Sequence, residues 1–182
     1  KVAPEFMVIK KRSAGASNWA VYAAGIGSFT LVLSNANGKQ ADFNAYFANT
    51  NPTSSVFTVG TDADTNVSAG TYIAYLFASL AGVSKIGTYT GNGSSQTINC
   101  GFSAGSRFIL IKRTDSTGNW ALFDSTRGIV AGNDPAIYLN STAAQVTTVD
   151  AVDTDSSGFI VNQEASINLN VNAASYVYLA IA

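Results

Sequence analysis

One segment of the sequence occurs twice, and this repeat constrains the fold more than any other feature. Residues 108–123 read FILIKRTDSTGNWALF, and residues 6–22 read FMVIKKRSAGASNWAVY, with one additional residue in the turn. Each predicts a β-hairpin, because an apolar run and an aromatic return run flank a turn that contains glycine. A second pair of segments, Thr71–Ala78 and Ser175–Ala182, matches without a gap. The sequence therefore predicts a tandem duplication of a β unit of roughly 100 residues.

The rest of the chain alternates between short apolar segments and turns rich in Gly, Asn, Asp and Ser. No segment keeps a 3.6-residue apolar period between helix caps, so we predict an all-β fold. We expect an antiparallel jelly-roll or lectin-like β-sandwich built from two tandem repeats, residues 1–80 and residues 81–182. The alternative is one fused sandwich of about fourteen strands in which the two halves share sheets.

The two predicted repeats differ at their beginnings. The second has two predicted strands before its hairpin, Ser84–Thr90 and Thr97–Phe102, and the first has no counterpart to them. We therefore expect the first repeat to lack its first two strands and the parent polypeptide to extend before Lys1.

Four shorter segments give weaker signals. Val56–Val59 and Ser166–Asn172 are predicted as strands, because each contains branched or apolar residues between turn residues. Asp42–Ala48 and Ala143–Val149 are compatible with either a strand or a single helical turn.

The hairpin strands are apolar on both faces. In residues 108–111, 6–9 and 72–77, successive side chains are all apolar, whereas a strand with one solvated face alternates. We expect these strands to be covered on both faces, by the other sheet of a sandwich and by a neighbouring unit or subunit. This predicts association with copies of the same chain, most readily as a trimer. Lys112 and Arg113 are expected to lead the second hairpin strand out to solvent.

Composition excludes several function classes. Charged residues make up 12% of the chain, against about 25% in typical globular proteins, which favours an extracellular or particle-bound protein. The net charge is −1 and no basic block is present, so phosphate-dependent nucleic-acid binding is not expected. The longest apolar stretch, Tyr72–Val83, is shorter than the roughly 20 residues of a membrane span. The single cysteine, Cys100, forms no intramolecular disulfide and is predicted to be a buried apolar residue.

One segment fits the pattern of a calcium-binding loop. Residues 153–164 read DTDSSGFIVNQE, with Asp, Asp, Ser and Glu at loop positions that supply oxygen ligands and glycine at the sixth. The pattern requires a flanking helix on each side, whereas residues 159–162 resemble a strand. The alternative is a polar turn that leads into this strand. The candidate ligands are Asp153, Asp155, Ser157 and Glu164.

Trp19 and Trp120 occupy equivalent positions in the two hairpins. Exposed aromatic residues serve as sugar-stacking platforms in carbohydrate-binding sandwiches, but a tryptophan present in both copies is more typical of core packing. We predict that both belong to the core.

Catalytic chemistry has little support in the sequence. The chain has no histidine, so a serine or cysteine triad would lack its usual base. A glycosidase would need two carboxylates across a cleft, and Glu5 and Glu164 are the only glutamates. Asp124 follows the return strand of the second hairpin and could be functional or pair with Arg127 or Arg113. We predict a non-enzymatic protein without a cofactor.

Several segments of both units are similar to a known family. They are Lys85–Ser94, Cys100–Phe102, Phe108–Trp120, Phe123–Ser125 and Tyr176–Ala180 in the second unit, and Val2–Arg12 and Thr71–Phe77 in the first. Through these segments, most of the chain resembles a repeat found in bacteriophage virion proteins. In that family the repeats are tandem, lectin-like β-sandwiches attached to tail fibres or other particle appendages.

The resemblance implies a structural protein of the virion that assembles with copies of itself and with other virion proteins. We expect a tail-fibre or appendage module that contacts the host surface or its glycans, for example through a loop such as Thr61–Gly70. The alternatives are a capsid or tail decoration protein without a ligand and a cellular extracellular adhesin or filament subunit.

Overall fold

The computed structural model describes residues 1–34 and 36–182. Within these ranges the chain is almost entirely β-structure and turns, with one short helix, α1 (Phe43–Phe47). The strands are β1 (Phe6–Lys11), β2 (Trp19–Ala23), β3 (Leu31–Val32), β4 (Tyr72–Phe77), β5 (Ser84–Thr90), β6 (Gln96–Asn99), β7 (Phe108–Arg113), β8 (Trp120–Asp124), β9 (Ile137–Tyr138), β10 (Val152–Asp155), β11 (Gly158–Val161) and β12 (Ser175–Ile181).

The described strands form three antiparallel sheets, so the prediction of an all-β antiparallel fold is confirmed. The first sheet has the strand order β3-β2-β1-β4, and the central sheet has the order β5-β12-β7-β8-β9. The outer sheet has the order β10-β11-β6. Residues 1–80 therefore contribute one sheet and residues 81–182 contribute two.

The first and central sheets repeat the same pairing pattern. In the first, β1 lies between β2 and β4, and in the central sheet β7 lies between β8 and β12. Lys10 pairs with Trp19 as Lys112 pairs with Trp120. Phe6 pairs with Phe77 in the way that Phe108 pairs with Ile181. The matched sequence segments thus have matched registers, although the tandem duplication itself stays a prediction.

The same face of each repeated sheet points into a shared core. This core contains apolar side chains from β1, β2 and β3 on one side and from β5, β7, β8 and β12 on the other. Phe6 of the first sheet makes an edge-to-face contact with Trp120 of the central sheet, with 6.2 Å between the ring centroids. The two predicted units therefore touch, as expected from the absence of a linker between them.

The opposite faces of the two sheets are covered by different structures. The side chains of α1 pack on the first sheet, where Tyr22 contacts Phe43 and Phe47. The outer sheet covers the central sheet, and Phe159 of β11 packs against Tyr178 of β12. The prediction that β1 and β7 are covered on both faces is confirmed, and the cover is supplied within the chain. For residues 72–77 the same prediction is wrong, because Ile73, Tyr75 and Leu76 of the edge strand β4 are exposed.

Several local predictions differ from the structure. Val56–Val59 and Ser166–Asn172 contain no strand. For Asp42–Ala48, where the prediction left a strand and a helical turn open, the structure has the short helix α1. Ala143–Val149 forms neither a strand nor a helical turn and contributes a single bridge from Val146 to Ala136. These segments contribute apolar side chains to the cores from loops, turns and the short helix, so their composition resembles that of strands.

Candidate functional site

The predicted calcium loop is a β-hairpin. β10 pairs with β11 across a tight turn, so the segment lacks the two flanking helices of a calcium-binding loop. The Asp155 carboxylate accepts hydrogen bonds from the backbone N–H (2.8 Å) and hydroxyl (2.6 Å) of Ser157. The Glu164 carboxylate accepts bonds from Ser166, and that of Asp153 accepts one from Asn162.

The structure does not bring these candidate ligands into one site. Asp155, Asp153 and Glu164 each bind a different local partner. Across residues 1–34 and 36–182, no group of three or more His, Cys, Asp or Glu side chains is placed to hold a metal ion. These carboxylates shape turns in the structure.

The two tryptophans face the same core but are buried to different extents. Trp120 is fully buried, and its indole N–H donates a hydrogen bond to the Val32 carbonyl (3.0 Å). Trp19 is half-buried beside Leu33 and Leu139, where it lines an apolar groove of about 210 Å³ between the two sheets. The core prediction is thus confirmed for Trp120, while Trp19 lies at the margin of the same core.

Lys112 is buried, so the prediction that it leads the strand out to solvent is wrong. Its ammonium group donates to the carbonyls of Arg113 (2.7 Å), Gly118 (2.9 Å) and Ala36 (3.2 Å). It also lies 6.0 Å from the centre of the Trp120 ring. Burial lowers the pKa of Lys112 to about 8, below the ordinary value of 10.5.

A loop of the first unit, residues 36–39, is attached to the second hairpin by Lys112 and by backbone hydrogen bonds. The Lys39 N–H donates to the Thr114 carbonyl (2.7 Å), and the Gly118 N–H donates to the Ala36 carbonyl (2.8 Å). A Cβ atom on Gly38 would lie 2.8 Å from the Thr114 oxygen, so the close approach requires glycine. This arrangement joins the two units and offers no reacting group to solvent.

A polar cavity lies next to this junction. Its volume is about 340 Å³, and its lining combines five hydroxyl-bearing residues with one lysine, one glycine and one isoleucine. The lining residues are Gly25, Ile26, Lys39, Thr88, Tyr89, Thr90, Thr114 and Ser175. Hydroxyl groups are of the kind that hydrogen-bond a sugar, which makes this cavity a candidate ligand site.

The remaining candidate residues have structural partners. Cys100 is buried, as predicted, and burial raises the pKa of its thiol to about 11. Asp124 forms an ion pair with Arg127 and accepts N–H bonds from the turn that follows it. The Glu5 carboxylate accepts hydrogen bonds from Ser79, which ties the start of β1 to the end of β4.

The comparisons give a family without an assigned function. Residues 1–182 match DUF7483, which is described as a domain of unknown function. The chain belongs to the DUF7483 family. No curated protein and no solved structure matches the chain.

A tyrosine motif in this DUF7483 chain was missed by the sequence analysis. The Tyr72 hydroxyl accepts a hydrogen bond from the Val67 N–H (2.8 Å), and the Tyr176 hydroxyl accepts one from the Val171 N–H (3.0 Å). Each hydroxyl also donates to a carbonyl of the preceding loop.

The same loop conformation surrounds both tyrosines. Ala69 and Ala173, each three residues before its tyrosine, have φ angles of 58° and 61°. The signal was present in the sequence, because residues 66–72 read NVSAGTY and residues 170–176 read NVNAASY. This extends the matched segments of the DUF7483 chain by five residues into the loops.

A second motif missed by the sequence analysis is the buried Asp134. Its carboxylate accepts hydrogen bonds from the backbone N–H groups of Val130 (3.1 Å), Ala151 (3.1 Å) and Val152 (3.0 Å). Burial raises the pKa of this carboxyl group above its ordinary value. The three bonds hold the connection between β8 and β9 against the start of β10, which is a structural role.

Proposed function

We propose that this chain is a non-enzymatic structural module of a bacteriophage virion, a tail-fibre or appendage unit that contacts the host surface or its glycans. The observation that carries the proposal is the pair of hairpins that share one core and have matched registers. Sequences resembling these hairpins occur in phage appendage repeats, and a firmly packed β unit suits a building block of a fibre.

The titratable groups support a non-enzymatic role. Asp155 and Glu164 accept bonds from local turn residues, and Asp134 is held by backbone N–H groups. Lys112 is enclosed by carbonyls. Each of these groups has a structural partner, and catalysis would require a group free to exchange protons or attack a substrate.

The polar cavity at the unit junction is the proposed glycan contact. The hydroxyls of Thr88 and Thr90 lie on β5 at the edge of the central sheet, and Lys39 lies on the loop attached to the second hairpin. The threonine hydroxyls can donate to and accept from sugar hydroxyls, and the Lys39 ammonium can donate to them, which gives specificity without a charged ligand.

Glycan-array binding and adsorption to bacterial cells test this proposal. We expect the chain to bind a bacterial surface polysaccharide and the double variant Thr88→Val, Thr90→Val to bind at least tenfold more weakly. Thr97→Val is the matched control, because Thr97 is an exposed threonine of β6 in the outer sheet. Hydrolysis of the polysaccharide would contradict the non-enzymatic assignment.

A decoration role without a ligand is the second candidate. It is favoured by the loop Thr61–Gly70, whose groups bind the body of the chain. The Asp64 carboxylate accepts bonds from the backbone (2.8 Å) and side-chain amide (2.9 Å) of Asn18. A loop fixed in this way suits inert cover. Labelling that locates the chain on the capsid shell, together with no glycan binding, would favour this candidate.

Association with copies of itself stays a proposal. The apolar faces of β1 and β7 that motivated it are covered within the chain. Three exposed apolar side chains, Ile73, Tyr75 and Leu76, lie together on β4, and others are scattered over the surface. Light scattering at micromolar concentration measures whether a trimer forms.

None of the helical segments within the described ranges has the length and apolar character of a membrane span.

A further inference from the structure

β4 is an edge strand, although its counterpart in the second unit is not. β4 pairs with β1 and ends the first sheet, whereas β12 lies between β7 and β5. Ile73, Tyr75 and Leu76 of β4 are exposed by 37%, 46% and 49%. Val177 and Leu179 of β12, which match the first two of these in the repeat, are buried in the shared core. The repeat therefore buries on β12 an apolar surface that β4 presents to solvent.

The backbone of β4 directs a row of hydrogen-bonding groups to this edge. The Arg12 N–H donates to the Thr71 carbonyl (2.7 Å), and the Glu5 N–H donates to the Phe77 carbonyl (2.8 Å). Because pairing alternates along an antiparallel ladder, the odd-numbered residues of β4 direct their N–H and C=O groups towards β1. The groups of residues 72, 74 and 76 are therefore directed to the edge, where another chain can pair with them.

β4 lacks the features by which edge strands usually prevent such pairing. Its sequence, YIAYLF, contains no charged residue and no proline, and its register with β1 is continuous. Tyr75 and Phe77 line the apolar groove between the two sheets. Leu76 lines a cavity of about 280 Å³ with the exposed Val2 and Val56. Apolar surface thus extends from both faces of this edge, which favours a protein partner.

The edge is complementary to itself in one antiparallel register. A two-fold axis at Ala74 places residue 72 opposite residue 76 of the second copy, so the backbone groups that face the edge meet each other. In this register Ile73 lies opposite Tyr75 of the second copy, and Leu76 lies opposite Tyr72. Pairs of an aromatic with an aliphatic side chain stabilise antiparallel strands, and no like charges meet across the axis.

We propose that β4 pairs with β4 of a second copy of this chain, antiparallel and about a two-fold axis at Ala74. Joining two four-stranded first sheets in this way forms one continuous sheet across the dimer. The pairing deepens the self-association proposed above and rests on it, but not on the virion or glycan assignment. Two-fold symmetry gives a dimer, whereas the sequence favoured a trimer. A six-residue edge is small beside a standard interface of about 1,200–2,000 Å², so we expect the dimer to dissociate on dilution.

Sedimentation velocity over a dilution series tests the pairing through charges placed at positions 73 and 75. We expect the native chain to change from monomer to dimer as its concentration rises through the micromolar range. Ile73→Lys and Tyr75→Glu should each raise the dimer Kd about tenfold or more, because each places an unpaired charge at the edge. The double variant Ile73→Lys, Tyr75→Glu should recover the dimer, because the register places each ammonium opposite a carboxylate.

A surface control and an exchange measurement accompany the series. Val130→Lys adds the same charge to another exposed apolar residue, in the connection between β8 and β9, and should leave the dimer unchanged. By NMR, amide exchange at residues 72, 74 and 76 should slow as the native chain dimerises and should stay fast in Ile73→Lys. The same spectra show whether this variant is folded, and Tyr75→Glu replaces it if it is not.

Three results would overturn the proposal. The first is a native chain that stays monomeric at every concentration. The second is a dimer or trimer that persists in both single variants, which would leave self-association intact but assign it to another surface. The third is a dimer that both single variants abolish and the double variant does not restore, which would contradict the two-fold register at Ala74.

Discussion

At the scale of single residues, Lys112 shows why sequence reasoning failed for a charged side chain. A lysine at a strand end is normally solvated, and local sequence gives no sign that a distant loop will cover it. Its burial depends on the Ala36 carbonyl, which is 76 positions away. The turn carbonyls of Arg113 and Gly118 and the Trp120 ring complete the enclosure. By contrast, Trp120 was correctly predicted to lie in the core, whereas Trp19 at the equivalent position lies at the margin of the same core.

Lys112 should give stability a specific pH dependence. Its folded pKa of about 8 lies below the unfolded value of 10.5, so the unfolded chain binds more protons between these values. Its contribution to the free energy of unfolding should therefore rise with pH across this window, by up to about 1.4 kcal/mol per pH unit. We expect this slope in the difference between the native chain and Lys112→Met, measured by urea unfolding from pH 7.5 to 9.5. A difference that falls or stays constant would contradict the assignment.

The two loop tyrosines should each contribute to stability through their hydroxyls. Tyr72→Phe and Tyr176→Phe leave the N–H groups of Val67 and Val171 without their acceptors, at a cost of about 1–3 kcal/mol each. The loss should be larger at Tyr176, which is the more buried. Urea unfolding measures both, with the exposed Tyr75→Phe as control. Equal stability of all three variants would contradict a stabilising role for the Tyr72 and Tyr176 hydroxyls.

At the scale of elements, local signals and long-range packing account for the successes and failures of prediction. The hairpins were recognisable because their apolar runs and turn residues are adjacent in sequence. Ser166–Asn172 was wrongly predicted as a strand, because its apolar residues Ile167 and Leu169 fill the core from a turn. The position of the outer sheet could not be predicted, because its strands β6 and β11 are about 60 residues apart in the sequence. They pair only in the folded chain, where Ile98 lies opposite Phe159.

The two equivalent edges should respond differently to proline. Ala180→Pro removes a donor of β12 that faces β5 and should cost about 3 kcal/mol or more. Leu76→Pro changes the equivalent position of β4, where the N–H faces an open edge, and should cost less than half as much. Thermal or urea unfolding of both variants measures the difference. Similar losses would mean that the two edges are equally paired.

The outer sheet depends on a glycine at its central strand. A Cβ atom on Gly158 would lie 2.1 Å from the Ile98 carbonyl oxygen of β6, which forces backbone to move. We expect Gly158→Ala to lower the free energy of unfolding by about 2 kcal/mol or more. Ser156→Ala in the exposed turn of the same hairpin is the control and should change it by less than about 0.5 kcal/mol. A neutral Gly158→Ala variant would show that the strands are farther apart.

At the scale of the whole molecule, two equivalent hairpins face each other across one core. The sequence predicted that the units touch and that β1 and β7 are covered on both faces, but it wrongly predicted the same for residues 72–77 of β4, where three apolar side chains are exposed. Which faces meet could not be predicted, because residues 6–9 are apolar on both sides. The structure assigns Phe6 and Val8 to the shared core and Met7 and Ile9 to the core beneath α1. Residues 1–80 therefore rely on the central sheet to bury one face of their own.

Nuclear Overhauser spectroscopy of the chain in solution measures this arrangement directly, through contacts between the Phe6 ring and the Trp120 indole. We expect strong cross-peaks between these rings, whose centroids lie 6.2 Å apart and which belong to different sheets. We also expect Phe6→Ala to remove these cross-peaks and to shift the Trp120 signals. An intact, folded spectrum without Phe6–Trp120 cross-peaks would contradict the shared core.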